Sequence, residues 1–195
     1  MLKGTIFQSG NDASIALAEH IAGSEGVFAE VMNQNAARLG MTHTHFVNSM
    51  GLPHPEHYAS AHDLALLSQA LITEFPEHYK LHALKEFTFN NIKQPNRNRL
   101  LWQDPTVDGV KTGHTEGAGY CLVASAVRNN MRLIAVVMGA KSDRIRASAN
   151  AELLNYGFRF YETRLLYRGK EKLTEAHVWK GAESQVPVGL KRDFF

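Results

Sequence analysis

Apolar positions in the first half of the chain recur every three or four residues, a spacing that predicts helices. Asn11 and Asp12 are residue types that favour N-caps, and the Ala-rich run of residues 13–22 follows them and ends before Gly23. A second helix is predicted from about Glu25 to Gly40. Its periodic positions are Phe28, Val31, Met32, Asn35 and Leu39.

A third helix has the clearest predicted start. Ser60 and Asp63 have the spacing of a capping box, in which the first side chain accepts a hydrogen bond from the backbone three residues on. The apolar positions that follow at helical spacing are Leu64, Leu67, Leu71 and Ile72. Between the second and third helices, residues 42–59 are rich in turn formers and predict an extended surface loop.

The second half of the chain changes to the alternating period of strands. Strands are predicted at residues 86–90, 107–111, 120–127 and 132–138. Asn129 and Asn130 join the last two strands, and asparagine tolerates the positive φ angles that a tight hairpin needs. A helix is then predicted from Asp143 to about Phe160. Its apolar face is expected to contain Ile145, Ala149, Leu153 and Leu154.

Composition narrows the range of partners. Apolar residues make up 44% of the 195 residues and charged residues 21%, the balance of a globular protein with a real core. A formal net charge of +2 without a Lys/Arg-rich run argues against nucleic acid. Cys121 is the only cysteine, so no internal disulfide is expected. We expect neither a signal peptide nor a membrane span, because no apolar stretch is long enough.

Two tripeptides carry candidate chemistry. Ser9-Gly10-Asn11 precedes a predicted helix, and Lys111-Thr112-Gly113 ends a predicted strand. Taken alone, the first fits a simple helix cap and the lysine fits an ordinary exposed strand residue. Together they match two of the three active-site motifs of penicillin-interacting serine enzymes.

Longer segments in the same order strengthen this match. They lie around Ser60–Asp63, Asn96–Trp102, Val107–Thr115, Gly119–Ala126 and Gly157–Thr163. With the two tripeptides, they resemble the low-molecular-mass D-alanyl-D-alanine carboxypeptidases, the penicillin-binding protein 5 and 6 family (peptidase family S11). The resemblance extends from Gly4 to about Thr163. It implies an α/β (α+β) fold of the penicillin-binding/β-lactamase-like transpeptidase type, an antiparallel sheet flanked by helices plus a helical lobe.

The resemblance also implies a role for each motif residue in cleaving a peptidoglycan stem peptide that ends in D-Ala-D-Ala. Ser9 would relay a proton, and Asn11 would bind the substrate amide. Lys111 would supply positive charge near the substrate carboxylate, to which Thr112 would offer a hydroxyl. Gly113 would let the substrate lie along the strand edge.

Three further residues are implied to bind substrate. The backbone N–H of His114 would be one of two oxyanion-hole donors. Arg146 falls where the family places an arginine that meets the terminal carboxylate, although it could also pair with a glutamate on its own helix. Arg97 is a second candidate near that carboxylate. β-Lactams would act as substrate mimics of the complete enzyme, and no cofactor is implied.

The family's third motif, Ser-x-x-Lys, does not occur among these residues, because no serine has a lysine three positions later. That motif supplies the nucleophile and its base, and removing a catalytic serine costs about 10⁶ in rate. We therefore expect this chain to be inactive alone and its domain to be incomplete at the N-terminus. We also expect it to be unstable or to expose an apolar groove, because a central helix would be absent.

The sequence leaves several alternatives open. The domain prediction is a partial catalytic domain over residues 1–163 and the start of a truncated β-rich domain over 164–195. A class A β-lactamase-like hydrolase and a non-catalytic remnant or peptide-binding module remain rival functions. The histidine pairs lack a third-ligand pattern, so no metal is expected. By resemblance, the full-length protein is expected in the periplasm at the inner-membrane surface.

Overall fold

The computed structural model describes residues 1–195, which divide into two compact units, Met1–Arg159 and Phe160–Phe195. The helices are α1 (Leu2–Gln8), α2 (Asn11–Ala22), α3 (Glu25–Arg38), α4 (Ala61–Glu74), α5 (Pro76–Tyr79), α6 (Leu100–Gln103) and α7 (Asp143–Phe160). The strands are β1 (Glu86–Phe89), β2 (Ile92–Pro95), β3 (Val107–Thr115), β4 (Gly119–Arg128), β5 (Met131–Ala140), β6 (Lys172–His177) and β7 (Gln185–Gly189). No helix combines the length and apolar character needed to cross a membrane.

The three predicted helices of the first half are confirmed, with one corrected cap. Gly10 is the N-cap of α2, so Asn11 is the first residue inside the helix and neither it nor Asp12 caps it. Gly23 ends α2 with a φ of 80°, a left-handed conformation that glycine adopts without strain. The predicted cap of α4 is confirmed, because the Ser60 hydroxyl accepts a hydrogen bond from the Asp63 backbone at 3.1 Å.

A three-stranded antiparallel sheet in the order β3-β4-β5 forms the centre of the first unit. The predicted hairpin between β4 and β5 is confirmed, and its two asparagines have φ angles of 50° (Asn129) and 62° (Asn130). β3 continues four residues beyond the predicted end, through Thr115. β3 lies at one side of the sheet, so no strand pairs with its outer edge.

The core of this unit lies between the sheet and the helices α6 and α7. Its buried residues are Leu100, Leu101, Val107, Leu122, Ala124, Ala126, Ala135, Ala147 and Leu154. Helix α4 contacts β5 and β4 as well. The predicted combination of an antiparallel sheet, flanking helices and a helical lobe (α2 and α3) is therefore present.

The predicted face of α7 is wrong at two positions. Ile145 and Leu153 are exposed by 46% and 49%, whereas Arg146 and Asn150 are buried beside Leu154. The physical reason is that both polar side chains bind backbone carbonyls of the sheet. Asn150, for example, donates to the Leu122 carbonyl at 3.2 Å. Hydrogen bonds of this kind allow polar groups to be buried and turn the helix away from its apolar pattern.

The second unit, Phe160–Phe195, contains the antiparallel pair β6 and β7 and an isolated bridge between Tyr167 and Phe194. The assignment of residues 1–163 and 164–195 to a catalytic domain and the start of another remains a prediction.

Candidate active site

Ser9 lies in the tight connection between α1 and α2. It is the C-cap of α1 and has a left-handed backbone, with φ 54° and ψ 45°. Its backbone N–H donates to the Thr5 carbonyl at 3.2 Å, and the next N–H, from Gly10, donates to the Gly4 carbonyl at 3.2 Å. These bonds close α1 so that a new helix begins at Asn11. The serine is thereby held at a fixed position between two helix ends.

Lys111 reaches Ser9 from the sheet. Its Nζ donates to the Ser9 hydroxyl at 2.5 Å and to the Thr112 carbonyl at 2.8 Å. The two residues are 102 positions apart in sequence, so the tertiary fold alone brings the two motifs together. A hydroxyl and an amine in direct contact can exchange a proton.

The charge environment makes that exchange easier near neutral pH. Burial lowers the pKa of Lys111 to about 8, and the positive charges of Arg97 and Arg146 add to the effect. An ordinary lysine has a pKa of 10.5, so this amine loses its proton far more readily.

Both motifs line one cleft of about 1350 Å³ in the first unit. The cleft residues are Thr5, Gln8, Ser9, Asn11, Asp12, Ser14, Ser49–Leu52, Gln94–Arg97, Arg99, Lys111–Thr115, Tyr120, Asp143 and Arg146. All eight predicted site residues therefore border the same space. Of the motif residues on β3, Thr112 is buried while Gly113 and His114 are exposed. The His114 ring lies against Tyr120, with ring centres 4.0 Å apart.

The two candidate carboxylate-binding arginines differ in how firmly they are held. Arg146 is only 6% exposed and donates to the carbonyls of Gly113 (2.9 Å) and Cys121 (3.2 Å). It also pairs with Asp143 at 2.6 Å, rather than with a glutamate. Arg97 is exposed, and its one hydrogen bond is a 3.4 Å contact with the Gln8 side chain.

Sequence reasoning missed the side chains that hold β3 in place. Asn98 is 1% exposed and donates to the Gly109 carbonyl at 3.0 Å. A His82 ring nitrogen lies 2.8 Å from the Val110 carbonyl, which accepts the bond. The only available signal was the run of polar residues around Arg97, where asparagines at 96 and 98 flank the arginine.

An ion-pair network holds Asp108, the residue of β3 that precedes Gly109. The Asp108 carboxylate accepts from the Tyr79 hydroxyl at 2.7 Å and from both terminal nitrogens of Arg132, at 2.9 and 2.7 Å. The three consecutive residues before Lys111 are thus held by side chains from four other segments of the chain. The sequence gives no local signal for this arrangement, because its members are 24 to 29 residues from Asp108.

No three histidine, cysteine or acidic side chains lie close enough together to hold an ion. In the loop before α4, three histidines bind backbone groups, and one of them, His54, accepts from the Glu56 N–H at 3.2 Å. A ring nitrogen of His45 lies 2.7 Å from the Glu56 carbonyl, and one of His57 accepts from the Val47 N–H at 3.1 Å.

Comparison with known proteins identifies the class. The structure of penicillin-binding protein 5 from Haemophilus influenzae superposes with a TM-score of 0.90 and 45% identity, covering 98% of this chain and 56% of that one. Penicillin-binding protein D2 from Listeria monocytogenes, solved in its cefotaxime-bound form, gives a TM-score of 0.74 at 32% identity, covering 80% and 64%. The fold is therefore that of a penicillin-binding protein.

The family model described as D-alanyl-D-alanine carboxypeptidase, peptidase family S11, matches residues 1–142. The Escherichia coli carboxypeptidase DacC is 53% identical over 188 residues, covering 96% of this chain and 47% of DacC. The Escherichia coli carboxypeptidase DacA is 46% identical over 197 residues, covering 100% and 49%. The chain belongs to the S11 D-alanyl-D-alanine carboxypeptidase family, as its motifs predicted. It spans about half the length of the curated relatives it matches.

Proposed function

We propose that this chain supplies one wall of the active site of a serine D-alanyl-D-alanine carboxypeptidase, which removes the terminal D-alanine of peptidoglycan stem peptides. The observation that carries the proposal is the contact between Ser9 and Lys111 beside an open strand edge. Family membership supports the reaction class, since the matching relatives are carboxypeptidases by name.

In this proposal Ser9 and Lys111 move the proton that the reaction requires. Acyl transfer forms a bond from a serine oxygen to the penultimate carbonyl and breaks the bond to the terminal D-alanine. The attacking serine would give its proton to its own base, which also lies outside this sequence. The departing amine would take a proton from the Ser9 hydroxyl, and Lys111 would replace it. Asn11, at the start of α2 in the same cleft, would bind the substrate amide.

The substrate peptide would lie along β3 as an added strand. Its backbone would pair with the outer edge at Gly113, where the absence of a side chain leaves room. The backbone N–H of His114 would be one of two donors to the oxyanion. Thr112, Arg146 and Arg97 would bind the terminal carboxylate.

The acylated serine is not among these 195 residues, because the sequence contains no Ser-x-x-Lys. The proposal therefore requires that the nucleophile and its base come from residues outside this sequence. The same requirement applies to β-lactams, which would react with that serine as substrate mimics. Peptidoglycan lies outside the cytoplasmic membrane, so we place the complete protein in the periplasm, at the inner-membrane surface.

Covalent labelling with a fluorescent penicillin tests this proposal. The 195-residue chain alone should not label, whereas the chain joined to the Ser-x-x-Lys segment of a relative should label. In the joined protein, Ser9→Ala and Lys111→Ala should slow labelling by about 10² or more. Arg144→Gln, a charge change in the same protein outside the cleft lining, is the matched control. Equal rates in all these variants would refute the proposal.

A second candidate is a non-catalytic peptide-binding module that uses the same edge of β3, with which no strand pairs. Failure of the joined protein to label, with retained binding of a D-Ala-D-Ala peptide, would support this candidate. A class A β-lactamase-like activity has weaker support, because the matching relatives carry carboxypeptidase names. Rapid hydrolysis of the penicillin by the joined protein would support the β-lactamase-like activity.

A further inference from the structure

Asp143 lies between two arginines at one end of the cleft. One carboxylate oxygen accepts a hydrogen bond from the Arg146 guanidinium at 2.6 Å, and the other pairs with Nε of Arg99. All three side chains line the cleft. Asp143 is also the first residue of α7, where the helix dipole stabilises a negative charge.

Arg146 has few donors left for a ligand. One terminal nitrogen binds the carbonyls of Gly113 and Cys121, which are directly paired residues of β3 and β4. The other terminal nitrogen binds Asp143. A guanidinium has five N–H groups, so three are committed to the protein and two remain. The arginine is thus fixed in place before any ligand arrives.

This arrangement creates a conflict for an anionic ligand. A carboxylate that approaches the remaining N–H groups of Arg146 also approaches the negative charge of Asp143, and like charges in a partly buried cleft repel. Asp143 is 27% exposed, so solvent screens this repulsion only in part. The carboxylate that holds the arginine therefore also weakens its attraction for a ligand.

Arg99 offsets this repulsion. Its guanidinium is bound to the far oxygen of Asp143 and is 64% exposed, so it supplies a positive charge at the cleft rim. The residue before it, Asn98, is buried and hydrogen-bonded to β3, which anchors the turn that carries Arg99. The pair Arg99–Asp143 is close to neutral, and Arg146 keeps its positive charge for the ligand.

We infer that Asp143 and Arg99 determine how strongly the cleft binds a peptide that ends in a free carboxylate. Asp143 is a positioning residue for Arg146 whose negative charge weakens binding of the peptide. Arg99 supplies the positive charge that offsets this weakening. This inference deepens the proposed function and rests on it for the class of ligand. It assigns a specificity role to a charge pair separate from the Ser9–Lys111 contact.

Binding of N-acetyl-D-Ala-D-Ala to the 195-residue chain tests the inference, with the C-terminal amide of the same peptide as the neutral control. Dissociation constants are measured by NMR titration. Asp143→Asn keeps a hydrogen-bond acceptor for Arg146 and should tighten binding of the acid about tenfold. Arg99→Gln should weaken binding of the acid about threefold. This effect is smaller than that of Asp143→Asn because the Arg99 side chain is more exposed. The double variant should lie between the single ones.

Binding of the amide should change less than about twofold in every variant, because it carries no charge at that end. Arg144→Gln, the exposed neighbour of Asp143 outside the cleft lining, should leave the acid dissociation constant unchanged. Circular dichroism of each variant checks that it is folded. The conservative Asp143→Glu keeps the negative charge, so its affinity for the acid should be closer to that of the parent chain than the affinity of Asp143→Asn is.

Two results would overturn the inference. One is an equal dissociation constant of acid and amide for the parent chain. The other is a shift of the dissociation constant, caused by Arg99→Gln or Asp143→Asn, that is the same for both peptides. The labelling experiment on the joined protein is independent of these results. If labelling fails while the charge effects persist, the cleft is a carboxylate-binding site without the proposed catalysis. If labelling succeeds without charge effects, only the inference about this pair is lost.

Discussion

Replacing Asn98 by alanine should destabilise the first unit far more than replacing an exposed asparagine on a helix. The Asn98 side chain is 1% exposed and makes two hydrogen bonds with backbone groups. It donates to the Gly109 carbonyl at 3.0 Å and accepts from the Leu100 N–H at 3.1 Å. It thereby connects the turn that carries Arg97 to the strand that carries Lys111.

The size of the effect follows from the two partners that Asn98→Ala would leave behind. A buried backbone group without a hydrogen bond costs about 1–3 kcal/mol, so two such groups cost about 2–6 kcal/mol in the free energy of unfolding. Asn35→Ala is a matched control, because that side chain is exposed and bonds only to Val31 in its own helix. The control should cost about 0.5 kcal/mol or less.

Urea unfolding followed by circular dichroism gives the global comparison. Hydrogen exchange at the Leu100 amide gives a local one, because that N–H would lose its acceptor in Asn98→Ala and should exchange faster. Equal losses of stability in Asn98→Ala and Asn35→Ala, with the Leu100 amide still protected from exchange, would contradict this prediction. Such a result would mean that the turn does not depend on this side chain for its connection to β3.

Two further predictions concern charge. Arg97→Gln should raise the pKa of Lys111 from about 8, because one of two neighbouring positive charges is removed. Burial should still keep that pKa below 10.5. The pH dependence of Lys111 acetylation, followed by mass spectrometry, measures the pKa. Burial alone would raise the pKa of Asp104, but hydrogen bonds from Thr106 and Arg128 outweigh it and leave the pKa lowered. The Asp104 carboxylate therefore contributes stability above pH 3.8, and this contribution is lost as the pH falls through the lowered pKa. In acid unfolding, Asp104→Asn should lose less stability over that pH range than the parent chain does.

The sequence was sufficient to predict the family and most of the secondary structure. Ser9 and Lys111 were assigned by the order of their motifs, and the structure places them in contact. The β4–β5 hairpin was predicted from Asn129 and Asn130, since a turn is a local feature that depends on neighbouring residues.

Features that depend on distant partners could not be predicted in this way. The periodic pattern of α7 put Ile145 in the core, because it treats Arg146 as polar and therefore outward. Arg146 is buried because the backbone carbonyls of β3 and β4 accept its hydrogen bonds, and no sequence pattern shows where those carbonyls lie. The Arg99–Asp143 pair was missed for the same reason, as its members are 44 positions apart.

In the proposed reaction, the charges of the cleft would link proton transfer to ligand binding. At pH 7 a pKa of about 8 leaves roughly a tenth of the Lys111 side chains neutral, against well under a thousandth for an ordinary lysine. Arg97 and Arg146 help to lower that pKa, and they are also the proposed carboxylate ligands. An anion bound to them would offset their charge and raise the pKa of Lys111, so the neutral fraction of this amine would be smaller in the occupied cleft than in the free one. The ligand that requires a proton would thus itself promote protonation of the group proposed to donate it.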